Sequence, residues 1–501
     1  MERFWRKIKK GLLWGPDMPV VAVCSVIVLL LLLLPLLRIA LYAAPWYDDY
    51  NYGKIVKDAL SRGYSLLNAL KAAVACVQRE WWAWQGTFSS VFFMSLMPGV
   101  WGDEYYVLGP IFLVLLLTSS VCVLVKVLAR DVLKAEWAYC VIWQTVAAAM
   151  AVVLIYNSQM GFFWYNAGIH YVGMHSFLML LTASWIGTLV AKRKVFLVLR
   201  VLCTCVGAVL VSGANYVTAL QGLVMGVSLV GLAALLRNRR FLLLLPSMLI
   251  YAYGFYKNVT APGNMKRGVS YQGWGLEPVP AIGRSFVEAF KAFGQFTGLI
   301  TAVVMLLLVP VIWLAVGKLR FRFRYPGVLL LWSVCLYATG FTPSLYTLGH
   351  GGLDRTLNAV KLTLQMLLLV NEVYWLGWLY GKLARSGRLP EKRREEKIPI
   401  VFYFVIMCLA LTVFVTRTYP VGGYSSWDAY DCIHKGEAYN FHQEYLERVE
   451  TIKEGGSTVI VEPYGYRPWI LSPGELSEDS QNEPNRSMAM WYDKEAIVCQ
   501  P

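Results

Sequence analysis

The stretch APWYDDYNYGK, residues 44–54, places two adjacent carboxylates, Asp48 and Asp49, where a long leucine- and valine-rich run ends. A carboxylate pair beside apolar surface suits general-base chemistry, because partial desolvation and mutual repulsion raise the proton affinity of one member. Neighbours on an extended segment point to opposite sides, so one of the two would face a given substrate. Taken alone, the pair reads more readily as a helix end meeting water.

Basic and aromatic groups recur in other short polar stretches. In APGNMKRG (261–268) a Pro-Gly turn stands beside Lys266 and Arg267, and backbone amides in such a turn can converge on an anion. In GHGGLDRTLN (349–358) His350, Asp354 and Arg355 follow one another closely. Arginine suits phosphate because its planar fork donates two hydrogen bonds at once. The bland alternatives are a solvated surface turn for the first stretch and a local ion pair or helix start for the second. Trp84 in WWAWQG and Trp164 in QMGFFWYNAGIHYVGMH could stack on a sugar ring, or belong to an interfacial aromatic belt. Histidine with two aspartates could bind a metal, but no spacing here matches a metal signature. No metal ligands are therefore assigned, and a divalent metal cofactor is left open.

The elements that must position these groups are set by composition. Of 501 residues 57% are hydrophobic and 15% charged, a balance that belongs in a membrane. Apolar runs of roughly 17 to 25 residues, enough to cross about 30 Å of hydrocarbon, recur along most of the chain. Eleven spans are expected, near 18–44, 105–128, 138–156, 172–191, 196–214, 216–236, 240–256, 296–317, 326–345, 357–381 and 398–416. The split at 212–216 rests on a short hinge. Arg38 and Glu372 fall within apolar runs; Arg38 would snorkel outward to lipid headgroups.

More than half of the 46 Lys and Arg residues lie in the amino terminus and in alternate connections such as RNRR and GKLRFRFR. Positive charge is retained on the cytoplasmic side, so the amino terminus is expected inside and, after eleven spans, the carboxyl terminus outside. The net charge of +15 is then a topology signal and not an argument for nucleic acid. LYAA before Pro45 resembles a cleavage site, but the run before it suits a retained anchor better. Cys432 and Cys499, both in the outer tail, could pair.

Three outer segments are long: 45–104, 257–295 and 417–501. In the first, Leu66, Leu67, Leu70, Ala73, Val74, Val77 and Trp81 recur at helical spacing, predicting an amphipathic helix lying on the membrane surface. The tail predicts a helix, EAYNFHQEYLERVETIKE, stopped by Gly455-Gly456 and followed by a short strand, STVIVEPY. At that length it should rest on the outer loops and not form a core of its own. A division into a membrane domain, 1–416, and a small α/β carboxyl-terminal segment, 417–501, follows.

With these stretches assembled, the chain resembles the membrane glycosyltransferases of GT-C type, which use polyprenyl-phosphate-linked sugars, and more closely a bacterial family of GT-C-like multipass proteins. The resemblance rests on DDYNYG (48–53), WQGTFSS (84–90), WYNAGIHY (164–171), APGNMKRG and the late Arg355, spread over residues 45–360. It implies an all-α polytopic fold whose first outer loop carries the catalytic acid, here Asp48 or Asp49. Lys266, Arg267, Arg355 and Arg38 would bind the donor phosphate. Tyr50, Trp84, Trp164, Asn166, His170, Asn264, His350 and Asp354 would complete the substrate site. The implied activity is inverting transfer of a sugar from a polyprenyl-phosphate donor to an acceptor in the cell envelope, at the plasma membrane. Two departures stand out: Thr87 follows Gly86 where the family often has Arg, and SGANY (212–216) lacks an expected acid. A transporter or flippase for lipid-linked saccharides, or a ligase for whole glycans, would use similar groups. Transport sites, however, lie near the membrane midplane, and the polar set here gathers at one face.

Overall fold

A computed structural model describes residues 15–191, 197–270, 275–388, 398–416 and 423–500. Among these residues the chain is helical throughout, apart from turns and two short strands, Thr458–Val461 and Ala496–Cys499, which pair in parallel.

Seven helices are long and apolar enough to cross a membrane: Met18–Tyr42, Asp103–Val132, Tyr165–Val190, Tyr216–Leu235, Leu299–Val316, Pro326–Leu348 and Asp354–Arg385. All eleven apolar runs carry helix, but in the other four the α-helical stretch among the described residues is shorter, and Leu245–Val259 continues directly from a 3-10 helix, Arg239–Leu244. Trp137–Val153, Leu197–Ser212, Leu245–Val259 and Ile400–Thr416 have 17, 16, 15 and 17 residues, against the about 20 that a hydrocarbon core asks for. The hinge at 212–216 is a true break: Asn215 caps the second helix, its side chain accepting from Thr218 N at 3.0 Å.

The spans face outward with apolar side chains. On the first helix Val23, Leu30, Leu31 and Leu34 are more than half exposed while Leu29, Leu33 and Leu36 are buried. A helix that is apolar all round suits a bilayer on one side and protein on the other. It packs on Trp137–Val153, which also packs on Leu108–Lys126. Ala147, Ala148 and Ala151, all buried, allow that close approach.

One end of this bundle carries Asp48–Arg62, Leu66–Ala83, Pro262–Ser270 and the tail. The Leu66–Ala83 helix is capped by Ser65, which accepts from Asn68 N at 3.2 Å. It forms where its spacing predicts, with a shifted division of faces. Ala69, Ala72, Ala73 and Cys76 are buried, in a helix that packs on Asp48–Arg62, while Leu66, Leu67, Leu70 and Val74 are exposed. Small side chains let the two helices approach, and the large apolar stripe points away from protein. Glu80 is buried and bridged to Arg79 at 2.8 Å.

The tail's helix, Glu437–Glu454, and its strand, Thr458–Val461, form where expected. Cys432 and Cys499 are both buried and free, so the pairing read from sequence does not occur. The tail's apolar side chains run into one cluster with those of the 45–104 segment. Tyr50 packs on Trp491 with centroids 5.5 Å apart, Lys57 Nζ donates to Trp491 O at 2.6 Å, and Lys453 meets Asp103 at 2.8 Å.

A candidate active site at one end of the bundle

Asp48 and Asp49 open the Asp48–Arg62 helix, and the residue before them, Tyr47, holds φ at 37°. A positive φ is uncommon for a residue with a side chain. It turns the chain sharply from the first span into the helix, and the two carboxylates leave that turn in different directions.

Asp49 goes inward and is fully buried. Its Oδ1 accepts from Asn166 N at 2.9 Å, and its Oδ2 accepts from Trp46 N at 3.0 Å and from the Tyr106 hydroxyl at 2.8 Å. Burial pushes its carboxyl up to about 7, against the opposing pull of those hydrogen bonds. Closed to solvent and surrounded by donors, it is placed as a clamp. Asn166, expected at the substrate, is the clamp's other half: its Nδ2 donates to Asp48 O at 2.6 Å, and it is 1% exposed. DDYNYG and WYNAGIHY are thus two sides of one joint.

Asp48 is half-buried, and its carboxylate makes no hydrogen bond among the described residues. Burial pushes it up to about 6, with Arg355 and Arg267 pulling it down and Glu483 and Glu80 pushing it up. A carboxylate with free lone pairs and a proton affinity near neutrality is suited to accept a proton.

The two arginines belong to different elements and share a cavity of about 430 Å³. Arg267 lies over Trp84, 5.0 Å from the ring, and its Nη1 donates to Gln85 Oε1 at 3.3 Å. Gln85 in turn donates to the Tyr52 hydroxyl at 2.8 Å. Arg355 lies over Trp164 at 5.7 Å and has no hydrogen-bond acceptor among the described residues. The cavity's lining also includes Leu220, Phe255, Val259, Ile282 and Leu353, and Asp48 is not part of it. It offers both cationic donors and a hydrocarbon-like surface. Both tryptophans therefore serve as plates beneath guanidinium groups.

APGNMKRG forms a helix where a turn was expected. Pro262 and Gly263 open a helix, Pro262–Ser270, that lies directly on the loop after Leu66–Ala83. A Cβ at Gly263 would stand 2.5 Å from Trp84 N, and one at Gly86 only 1.9 Å from Asn258 O. No side chain fits at either contact, so both glycines are there for close approach. Asn264 lines the cavity, but its side chain is already engaged. Its Oδ1 accepts from Gly86 N at 3.0 Å and from the Tyr216 hydroxyl at 2.6 Å, and its Nδ2 donates to Asn258 O at 2.8 Å.

The remaining expected residues divide. His170 lines the cavity, and its Nδ1 is buried without a partner among the described residues. Tyr50 turns away from the cavity onto Trp491 and Tyr492, where it packs the tail. Lys266 is exposed on its helix and does not line the cavity. Arg38 is exposed on the first helix, makes no ion pair among the described residues and is likewise absent from the cavity wall. His350 is exposed, its Nδ1 accepting from Gly352 N at 3.2 Å inside a local turn. Asp354 is exposed in the first turn of its helix, 3.5 Å from Asn157 Nδ2, the ordinary place for an acid at a helix start. Thr87 is fully buried behind the loop, so the position where an Arg was expected does not reach the cavity. Among the described residues no three His, Cys, Asp or Glu side chains converge as metal ligands.

Sequence reasoning missed Gln85, Tyr216 and Glu483. The first two lie in quoted stretches, WWAWQG and SGANY, where charge and acidity drew attention from amide and hydroxyl groups. Glu483 could not have been found, because nothing in a sequence links position 483 to position 48.

No family model matches the chain, and neither does a curated protein or a solved structure.

Proposed function

We propose that the chain is an inverting glycosyltransferase that takes a sugar from a polyprenyl-phosphate carrier and passes it to a hydroxyl of a cell-envelope acceptor. One observation carries this: a half-buried carboxylate with no hydrogen bond among the described residues, Asp48, lies outside the cavity's lining but within the field of Arg267 and Arg355, which line it together with apolar side chains. A lipid phosphate needs both parts of such a lining, fixed cations for the head and hydrocarbon for the tail.

In the proposed reaction Asp48 takes the proton from the acceptor hydroxyl as its oxygen attacks the anomeric carbon. The bond from that carbon to the phosphate oxygen breaks, and the electron pair leaves with polyprenyl phosphate. The charge growing on the phosphate is met by the guanidinium groups, and a single displacement inverts the anomeric centre. Asp49 shapes the site without touching substrate. The GT-C-like arrangement, the eleven crossings and the placement of the site outside the cytoplasm, with the amino terminus inside, belong to the same proposal. They rest on the order of the motifs and on the basic alternate connections. The candidate acid and both arginines lie at one end of the bundle, which favours transfer over transport; the polar side chains deeper in the helices, such as His175, Gln221 and Thr363, are hydrogen-bonded to one another.

The test is a comparison of surface glycans from cells lacking the protein and complemented with wild type or Asp48→Asn. Loss of one glycan species, restored by wild type and not by an equally abundant Asp48→Asn, is expected. Unchanged glycans in the cells lacking the protein would overturn the proposal.

A further inference from the structure

The carboxyl-terminal tail reaches the candidate base by one side chain. Glu483 opens the Glu483–Trp491 helix, which packs along Asp48–Arg62, so the starts of two helices meet. The Tyr47 hydroxyl donates a hydrogen bond to Glu483 Oε2. Tyr47 is the residue with φ at 37°, immediately before Asp48, and its carbonyl accepts from Tyr50 N and Asn51 N to start the helix. Around this contact the tail is fastened by Lys54 to Asp493 at 2.5 Å, by Lys57 to Trp491 O at 2.6 Å and by Tyr50 against Trp491. A strained residue persists only where its surroundings hold it, and here part of that hold comes from a segment more than four hundred residues away in sequence.

We infer that Glu483 is a positioning residue for Asp48: it pins Tyr47 in the turn that aims the Asp48 carboxylate, so the tail completes the site. It acts in two separable ways. The hydrogen bond fixes where Asp48 points, and the negative charge raises the proton affinity of Asp48. The charged and titratable groups acting on Asp48 are Arg355 and Arg267, which favour its ionised form, and Glu483, Glu80 and the buried Asp49, which oppose it. Glu483 is the one supplied by the tail.

This inference rests on Asp48 being the base, and two nearly isosteric variants separate it from that premise. Glu483→Gln keeps an acceptor for Tyr47 and removes the charge. The low-pH limb of transfer is expected to move down by roughly half a unit, with kcat at high pH nearly unchanged. Tyr47→Phe keeps the charge and removes the hydrogen bond. Here kcat is expected to fall roughly ten- to a hundredfold, as for a misplaced reacting group, with the limb in place and KM for the polyprenyl-phosphate donor little changed. If Asp48→Asn is inactive while both variants keep the wild-type kcat and limb, the positioning role is wrong and the base assignment stands. If Asp48→Asn itself retains full activity, the premise fails first. A loss of folded protein in either variant, read by size-exclusion in detergent, is answered by Glu483→Asp. That substitution keeps the charge but draws the acceptor back from Tyr47 by one methylene, so kcat is expected to fall while the limb stays in place; a folded Glu483→Asp with wild-type kcat would overturn the inference.

Discussion

Replacing Asp49 by alanine removes the acceptor for Trp46 N, Asn166 N and the Tyr106 hydroxyl at a fully buried position. Each backbone N–H left buried without a partner costs about 1–3 kcal/mol. The Tyr106 hydroxyl still has the Phe163 carbonyl at 3.3 Å, so its loss is smaller. Two stranded amides alone come to about 2–6 kcal/mol, comparable with the whole stability of many folded domains. Asp49→Asn should cost less, because the amide oxygen still accepts while its NH2 faces one of the former donors. The assay is thermal unfolding in lipid nanodiscs with amide hydrogen exchange at Trp46 and Asn166. Asp49→Ala is expected to lower the midpoint and speed exchange at both amides, Asp49→Asn to do so less, and Asp48→Ala to leave exchange unchanged. The clamp would be refuted if Asp49→Asn kept wild-type stability and exchange yet lost all activity, while Asp48→Asn turned over normally.

Activity should fall as pH drops through about 6, because Asp48 must be ionised to accept a proton and burial has raised it to that range; a pH–rate profile of kcat reads this directly. Arg355→Ala is expected to weaken polyprenyl-phosphate binding by roughly ten- to a hundredfold, the worth of a charge-assisted pair, with Arg355→Lys intermediate because it lacks the fork; fluorescence titration checks it. Gly86→Ala is expected to abolish folded protein, since its methyl would sit 1.9 Å from a backbone carbonyl, and a monodisperse peak on size-exclusion would contradict this. Lys266→Ala, His350→Ala and Arg38→Ala should change donor binding less than threefold, since none of these side chains lines the cavity.

What was legible in the sequence followed from local periodicity. The amphipathic Leu66–Ala83 helix, the tail's helix and strand, and the break at Asn215 are each set by neighbours within one or two turns. Helix ends were less legible: the run expected at 240–256 begins as a 3-10 helix, Arg239–Leu244, and continues to Val259, where Asn258 turns its side chain back to Ser212 O and Ala214 O, contacts no periodicity reveals. In the candidate site Arg267 and Arg355 line one cavity, and one of the two acids makes no hydrogen bond among the described residues, but which one depended on a buried hydroxyl, Tyr106, and an amide at 166. Lys266, adjacent to Arg267, points elsewhere because its segment is a helix, where neighbours diverge by about 100°. The Pro-Gly pair expected to form a turn opens a helix instead, with Gly263 at a point of backbone contact, a distinction that requires the partner's position.

The most direct test of the central claim is sugar transfer by the purified full-length chain in proteoliposomes supplied with a polyprenyl-phosphate-linked sugar and an acceptor, with the product's anomeric configuration read by proton NMR. Wild type is expected to give a product inverted at the anomeric carbon, and Asp48→Asn none, although it still binds polyprenyl phosphate. A retained configuration, or full transfer by Asp48→Asn, would contradict it.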